Sequence, residues 1–142
     1  MLLLFLWLLV VSTTVIDASS TPEPFSGDVL FYRDVDKKNL LGTMAISVAN
    51  RCYNMNCGHL DNNVSSITWS GLPKTATYED ETRAQVAFYV DKDCTGSSQH
   101  FATRWGGVSL AVAGLNDAVS SFMVLQFSAG IENGVRRICE LG

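Results

Sequence analysis

The chain opens with an almost unbroken apolar run, Leu2 to Val11, and then breaks into short apolar stretches separated by polar turns. Residues 28–32 (Asp-Val-Leu-Phe-Tyr) are rich in β-formers, residues 33–39 are polar, and residues 40–48 alternate in part between apolar and polar positions. That pattern predicts strand, turn, strand. Residues 49–63 are dense in Asn, Cys and Gly and are expected to form a loop, followed by a short strand over Ser65–Trp69. The order then recurs, with a strand at Gln85–Tyr89, a turn at Val90–Asp93 and a return strand at Cys94–Phe101. A glycine-bearing stretch follows, and a last strand runs over Ser120–Phe127. Sustained helical periodicity with caps is missing from both halves. Residues 108–119 contain good helix formers, but Gly114 and Asn116-Asp117 leave room for a short helical turn at most.

Phe31-Tyr32 stands ahead of Ser65-Ser66 much as Phe88-Tyr89 stands ahead of Ser120-Ser121, an internal repeat of about forty residues. The organisation expected from it is one domain over residues 28–142, with a first unit at 28–69, a linker at 70–85, a second unit at 86–127 and an extension at 128–142. The linker, with Glu79-Asp80-Glu81, reads as a solvated insertion whose charges face water. The tail carries Val135 and Ile138 as an apolar patch beside Cys139.

The opening run changes the cellular setting. A short apolar core followed by Ser12-Thr13-Thr14 and Ala18-Ser19-Ser20 has the form of a secretory signal peptide over residues 1–18. Residues 19–27 follow as an irregular leader. The run is shorter than the ~20 apolar residues that span a bilayer, so no membrane span is expected after cleavage. Cleavage removes one of 14 acids and none of the 10 bases, leaving a net charge of −3. Mild acidity without a basic face argues against nucleic acid as partner, and neither Lys37-Lys38 nor Arg136-Arg137 is expected to make a patch. Four cysteines in a secreted chain suggest two disulfides among Cys52, Cys57, Cys94 and Cys139. Three pairings are open. The local spacing favours Cys52–Cys57, with Cys94–Cys139 tying the tail to the body.

The chemistry lies in two matching stretches, Asp61-Asn62-Asn63-Val64-Ser65-Ser66 and Asn116-Asp117-Ala118-Val119-Ser120-Ser121. Each offers Asn/Asp side chains, two hydroxyls and turn carbonyls, an all-oxygen set suited to calcium rather than zinc or copper. A single copy would read as an ordinary turn, because Asn, Asp and Ser bond their own backbone. Two copies at equivalent places in two similar units point to a paired site. Few anionic ligands imply modest affinity, roughly 10⁻⁴ to 10⁻³ M or somewhat tighter. Asn63-Val64-Ser65 is also an N-glycosylation sequon.

Tyr89-Val90-Asp91-Lys92-Asp93-Cys94-Thr95-Gly96, followed by Ser120-Ser121-Phe122, resembles a βγ-crystallin Greek-key motif. Both six-residue stretches fit that family's cation pattern, Asn/Asp-Asn/Asp-x-x-Ser/Thr-Ser. The resemblance implies an all-β fold in which two Greek-key motifs form one disulfide-stapled β-sandwich. It implies two calcium ions. Asn63 and Ala118 would supply backbone carbonyls, Ser65 and Ser120 hydroxyls, and the hairpins near Arg33 and Val90 one further carbonyl each. Asn62 and Asp117 would cross to the ion of the other motif, while Asp61 and Asn116 brace the loops. The sequence departs from the pattern in three places. Cys94 replaces the second aromatic, Leu40 stands where an aromatic is usual, and the first hairpin turn is longer.

No catalytic constellation is present in the sequence, since His59 and His100 lack a nucleophile in a recognisable setting and Gly106-Gly107 lacks a lysine and a helix entry. The chain reads as a non-enzymatic, secreted calcium-binding protein whose ions stabilise the fold. A second reading is a secreted effector of the same fold group, killer-toxin-like or proteinase-inhibitor-like, using the long turn and the tail as interaction surfaces. A third is recognition of an extracellular protein or glycan through Trp105 or Trp69, although Trp69 is expected in the core.

Overall fold

The computed structural model describes Val11 and residues 24–140. The signal-peptide reading of residues 1–18 lies outside the described residues, Val11 apart. Among the described residues no helix is long and apolar enough to cross a membrane.

Among the described residues nine strands form two sheets. They are β1 (Gly27–Tyr32), β2 (Leu40–Ile46), β3 (Cys52–Asn54), β4 (Ser66–Ser70), β5 (Gln85–Tyr89), β6 (Ser98–Ala102), β7 (Gly107–Ser109), β8 (Ser121–Leu125) and β9 (Val135–Arg137). One sheet has the order β2-β1-β4-β7 and the other β6-β5-β8-β3-β9. Each repeat unit therefore gives its third strand away. β3, from the first unit, pairs with β8, and β7, from the second, pairs with β4, both antiparallel. This exchange is what makes each unit a Greek key rather than a meander.

The apolar alternation in β1 puts Val29 and Phe31 inward, where they meet Met44, Ile46, Ile67 and Trp69 of their own sheet. Val86, Phe88, Phe122, Val124 and Tyr53 complete the core from the opposite sheet. Phe122 is its centre, with ring centroids 5.7 Å from Phe31, 5.2 Å from Tyr53 and 6.1 Å from Phe88. Trp69 is buried as expected, and its Nε1 donates to the Thr103 carbonyl at 2.6 Å. Trp105 is exposed.

Four expectations need correction. Residues 49–63 are not all loop, because Cys52–Asn54 is a fully buried strand, a segment too short to show a period. The return strand of the second unit starts at Ser98, since Lys92–Cys94 form a 3₁₀ turn with Asp93 and Cys94 in the left-handed region. The linker is more than a solvated insertion. Ala76, Tyr78 and Ala84 pack with Ala87, Tyr89, Met123 and Leu125 on the outer face of the second sheet. Covering both faces explains why all five residues of β8 are buried. Glu79-Asp80-Glu81 stays exposed, as do Lys74, Thr75, Thr77, Thr82 and Arg83.

The fourth correction concerns the disulfides, which join Cys52 to Cys94 and Cys57 to Cys139, with Cα–Cα distances of 5.8 and 5.7 Å. Proximity in sequence misleads here. Cys52 begins an extended strand, which carries the chain away from it at ~3.3 Å per residue. The pairing of β3 and β5 with β8 meanwhile sets the 90–94 turn beside Cys52. Cys94 thus replaces the aromatic of the repeat with a covalent tie.

The tail is likewise part of the fold. β9 runs parallel to β3, with Tyr53 opposite Arg136 and Asn54 opposite Arg137. Asn50, fully buried and left-handed at φ 53°, anchors it. The Asn50 Nδ2 donates to the carbonyls of Ser128 and Gly130 at 2.7 and 2.8 Å, and its Oδ1 accepts from the N–H groups of Gln126 and Phe127. The Asn50 carbonyl accepts from Glu132 and Asn133.

Candidate functional site

The two oxygen-rich stretches lie where the halves cross. In each, the fourth residue is a valine sealed into the core, Val64 and Val119, both 1% exposed. In each, the second residue is left-handed, Asn62 at φ 55° and Asp117 at φ 52°, a conformation that Asn and Asp tolerate better than other side chains. In each, the fifth residue's N–H donates to the carbonyl of the tyrosine ending the unit's first strand, Ser65 to Tyr32 and Ser120 to Tyr89, both at 2.9 Å. Arg33 and Val90, the next residues, therefore stand beside the two loops.

The sixth residues brace the hairpins. Ser66 Oγ donates to the Asp34 carbonyl and accepts from Lys37 N–H at 3.2 Å. Ser121 Oγ donates to the Asp91 carbonyl and accepts from Cys94 N–H at 3.0 Å. Both serines are fully buried. Ser121→Ala strands a carbonyl and an N–H in the second hairpin and is expected to cost ~1–3 kcal/mol. Urea denaturation checks this, and Ser66→Ala should behave alike. Gly96 closes the same hairpin at φ 77°, where any side chain would collide with the Asp91 carboxylate.

Strand exchange, two sheets and loops tied to their own unit's hairpins decide the architecture. The fold is of the βγ-crystallin type. Two solved structures resemble this βγ-crystallin-type chain. One comes from work on the evolution of the eye-lens βγ-crystallin domain fold, at 19% identity and a TM-score of 0.46, covering 75% of this chain and 93% of that one. The other is the N-terminal domain of protein S, at 15% identity and a TM-score of 0.43, covering 70% of this chain and 96% of that one. No family model and no curated protein matches the chain.

Within this βγ-crystallin-type frame, side chains from the two motifs meet reciprocally. Ser65 Oγ donates to Asp117 Oδ1 at 3.2 Å, and Ser120 Oγ to Asp61 Oδ1 at 2.9 Å. The first contact joins the pair that the resemblance put together. The second does not, because the carboxylate of Asp61, rather than the amide of Asn62, stands at Ser120. Asn116 braces its own loop, its Nδ2 donating to Asp117 Oδ2 at 3.1 Å. Asn63 and Asn62 are exposed, and Ala118 and Ser120 half-buried. Asn63 of the sequon is thus accessible.

The donor set fits a calcium ion. Ligands at 2.3–2.6 Å from one ion, at the ~75–85° angles common in irregular oxygen shells, lie roughly 3 Å apart. The two Ser–Asp pairs show that separation. Among the described residues no three His, Cys, Asp or Glu side chains gather, so each pair has a single carboxylate and otherwise neutral oxygens. Missed from sequence were Asn50 and the gathering of Lys92 with Arg136 and Arg137. Asn50 has no flanking signal beyond a polar residue in an apolar neighbourhood.

Proposed function

We propose that this chain is a secreted calcium-binding protein whose two ions brace the crossing of its halves. The observation that carries the reading is the reciprocal pairing of Ser65 with Asp117 and Ser120 with Asp61. The first ion would be held by Asp117, Ser65 and the carbonyls of Asn63 and Arg33. The second would be held by Asp61, Ser120 and the carbonyls of Ala118 and Val90, with Asn62 at its edge. Each ion draws ligands from both motifs, so disabling one loop weakens both sites. Both disulfides favour an oxidising compartment.

Calcium binding to the folded state alone raises stability by about 2.7 kcal/mol per site at a hundredfold excess over the dissociation constant. The oxidised protein should therefore melt higher in about 10 mM calcium than in chelator, given the affinity range of extracellular sites. An unchanged midpoint sinks the reading, as does full retention of the shift in the Ser65→Ala, Ser120→Ala double variant. Comparing Asp61→Ala with Asn62→Ala decides which residue crosses. The larger loss of calcium response is expected for Asp61→Ala.

A further inference from the structure

We propose a second binding site, unrelated to calcium, for an oxyanion ester carried on a sugar-sized organic molecule. It occupies a cleft of about 570 Å³ at the end of β3, lined by Asn54, Asn56, Lys92, Asp93, Arg136 and Arg137 with Val135.

Three cationic residues and one acidic residue line it, in a chain whose net charge is −4. Lys92 and Arg137 share the Asn54 side of β3, while Arg136, in register with Tyr53, also borders the cleft on the other face. They come from segments more than forty residues apart in sequence, so the fold alone assembles them. The acid is engaged already. Asp93 Oδ1 accepts from Asn54 Nδ2 at 2.7 Å, and Asp93 N–H donates to Asn54 Oδ1 at 2.7 Å. That reciprocal pair fixes the turn carrying Lys92 to a strand residue that is only 4% exposed. The Cys52–Cys94 disulfide and the Ser121 hydroxyl hold the same turn. On the other wall, Arg136 and Arg137 sit in ladder register with Tyr53 and Asn54. The Asn50 clamp and the Cys57–Cys139 disulfide secure that strand at either end.

The backbone under all three cations is therefore fixed before any ligand arrives, which reduces the ordering cost of binding. Guanidinium groups match the fork geometry of phosphate, sulfate and carboxylate oxygens, and an ammonium adds a point charge. The cleft is of the size that holds small organic ligands, larger than a bare oxyanion needs. Its amides, Asn54 and Asn56, offer the neutral hydrogen bonding that hydroxyls take. Phosphate and sulfate esters share this chemistry.

The test is a titration of the oxidised, full-length secreted protein by NMR at low ionic strength, with chelator present to silence calcium. The probes are glucose 6-phosphate, glucose 6-sulfate, inorganic phosphate, inorganic sulfate and glucose. Saturable binding of at least one ester, tighter than its inorganic ion and with no response to glucose, is expected. Whichever ester binds better names the source. Lys92→Ala and Arg137→Ala should each weaken it roughly tenfold, while Lys37→Ala, on the remote first hairpin, leaves it unchanged. Melting curves of the variants exclude unfolding as the cause. No saturable binding of either ester, equal affinity for the bare ions, or indifference to both substitutions in folded protein overturns the proposal.

Discussion

Asn50→Ala is expected to destabilise the protein by ~3–5 kcal/mol, a loss at the upper end for a single polar residue. The native side chain satisfies two carbonyls and two N–H groups in a site with no exposure. Truncation leaves those four groups without their partner. Gln126, with its N–H, is buried, while Phe127 and Ser128 are half-buried and Gly130 is exposed, so water can reach some of them and the four together cost about 2–4 kcal/mol. Alanine also tolerates the left-handed backbone at φ 53° less well than asparagine, by roughly 1 kcal/mol. Asn50→Gly separates the two causes, since it relieves the backbone but not the hydrogen bonds. If hydrogen bonding dominates, Asn50→Gly recovers only the smaller part. Urea denaturation gives the magnitude. Hydrogen exchange gives the place: protection should fall first across residues 126–137, where the clamp holds the tail. Loss confined to residues 50–54 would contradict the clamp.

Replacing Cys57 and Cys139 together by serine should cost about 4.5 kcal/mol, from the loop entropy regained by the unfolded chain when a closure across 82 positions is released. The corresponding figure for Cys52 and Cys94, 42 positions apart, is about 4 kcal/mol. At roughly 3–6 °C per kcal/mol for a domain of this size, either double variant melts more than 10 °C lower. Their local effects differ. Without Cys57–Cys139 the tail retains the β3 ladder and the Asn50 clamp, so β9 should stay paired. Without Cys52–Cys94 the turn carrying Lys92 retains Asn54 and Ser121. Unreduced peptide mapping reads the pairing directly, and a Cys52–Cys57 peptide would remove the basis of both estimates.

What could be read from sequence followed the range of the interactions involved. β1 and β5 announce themselves because each is a run of β-formers, and the repeat fixes where their partners β4 and β8 fall. The two cation loops are legible because the same six positions occur twice. β3 escapes because three consecutive buried residues, Cys52-Tyr53-Asn54, carry no alternation. β7 escapes because Val108 sits between Gly107 and a leucine-alanine stretch that imitates a helix. The linker's apolar residues, Ala76 and Tyr78, gain meaning only when a second face of β5 and β8 needs covering. The disulfides fail for the same reason. Which sulfurs meet depends on a strand exchanged between halves, and no local spacing encodes that. In the candidate site, the Ser65–Asp117 contact follows from the motif, whereas the choice of Asp61 over Asn62 at Ser120 rests on loop geometry.

The exchange of β3 and β7 also makes the two halves complementary fragments. Neither sheet is complete with residues from one half, and a lone half would leave strand edges ready to pair with any matching chain. The segment joining them keeps the partners at high effective concentration, so pairing within one molecule outcompetes pairing between two. Ala76 and Tyr78 press that segment onto the sheet it serves. The linker that looked like a solvated insertion is therefore the tether that keeps each molecule's halves for itself.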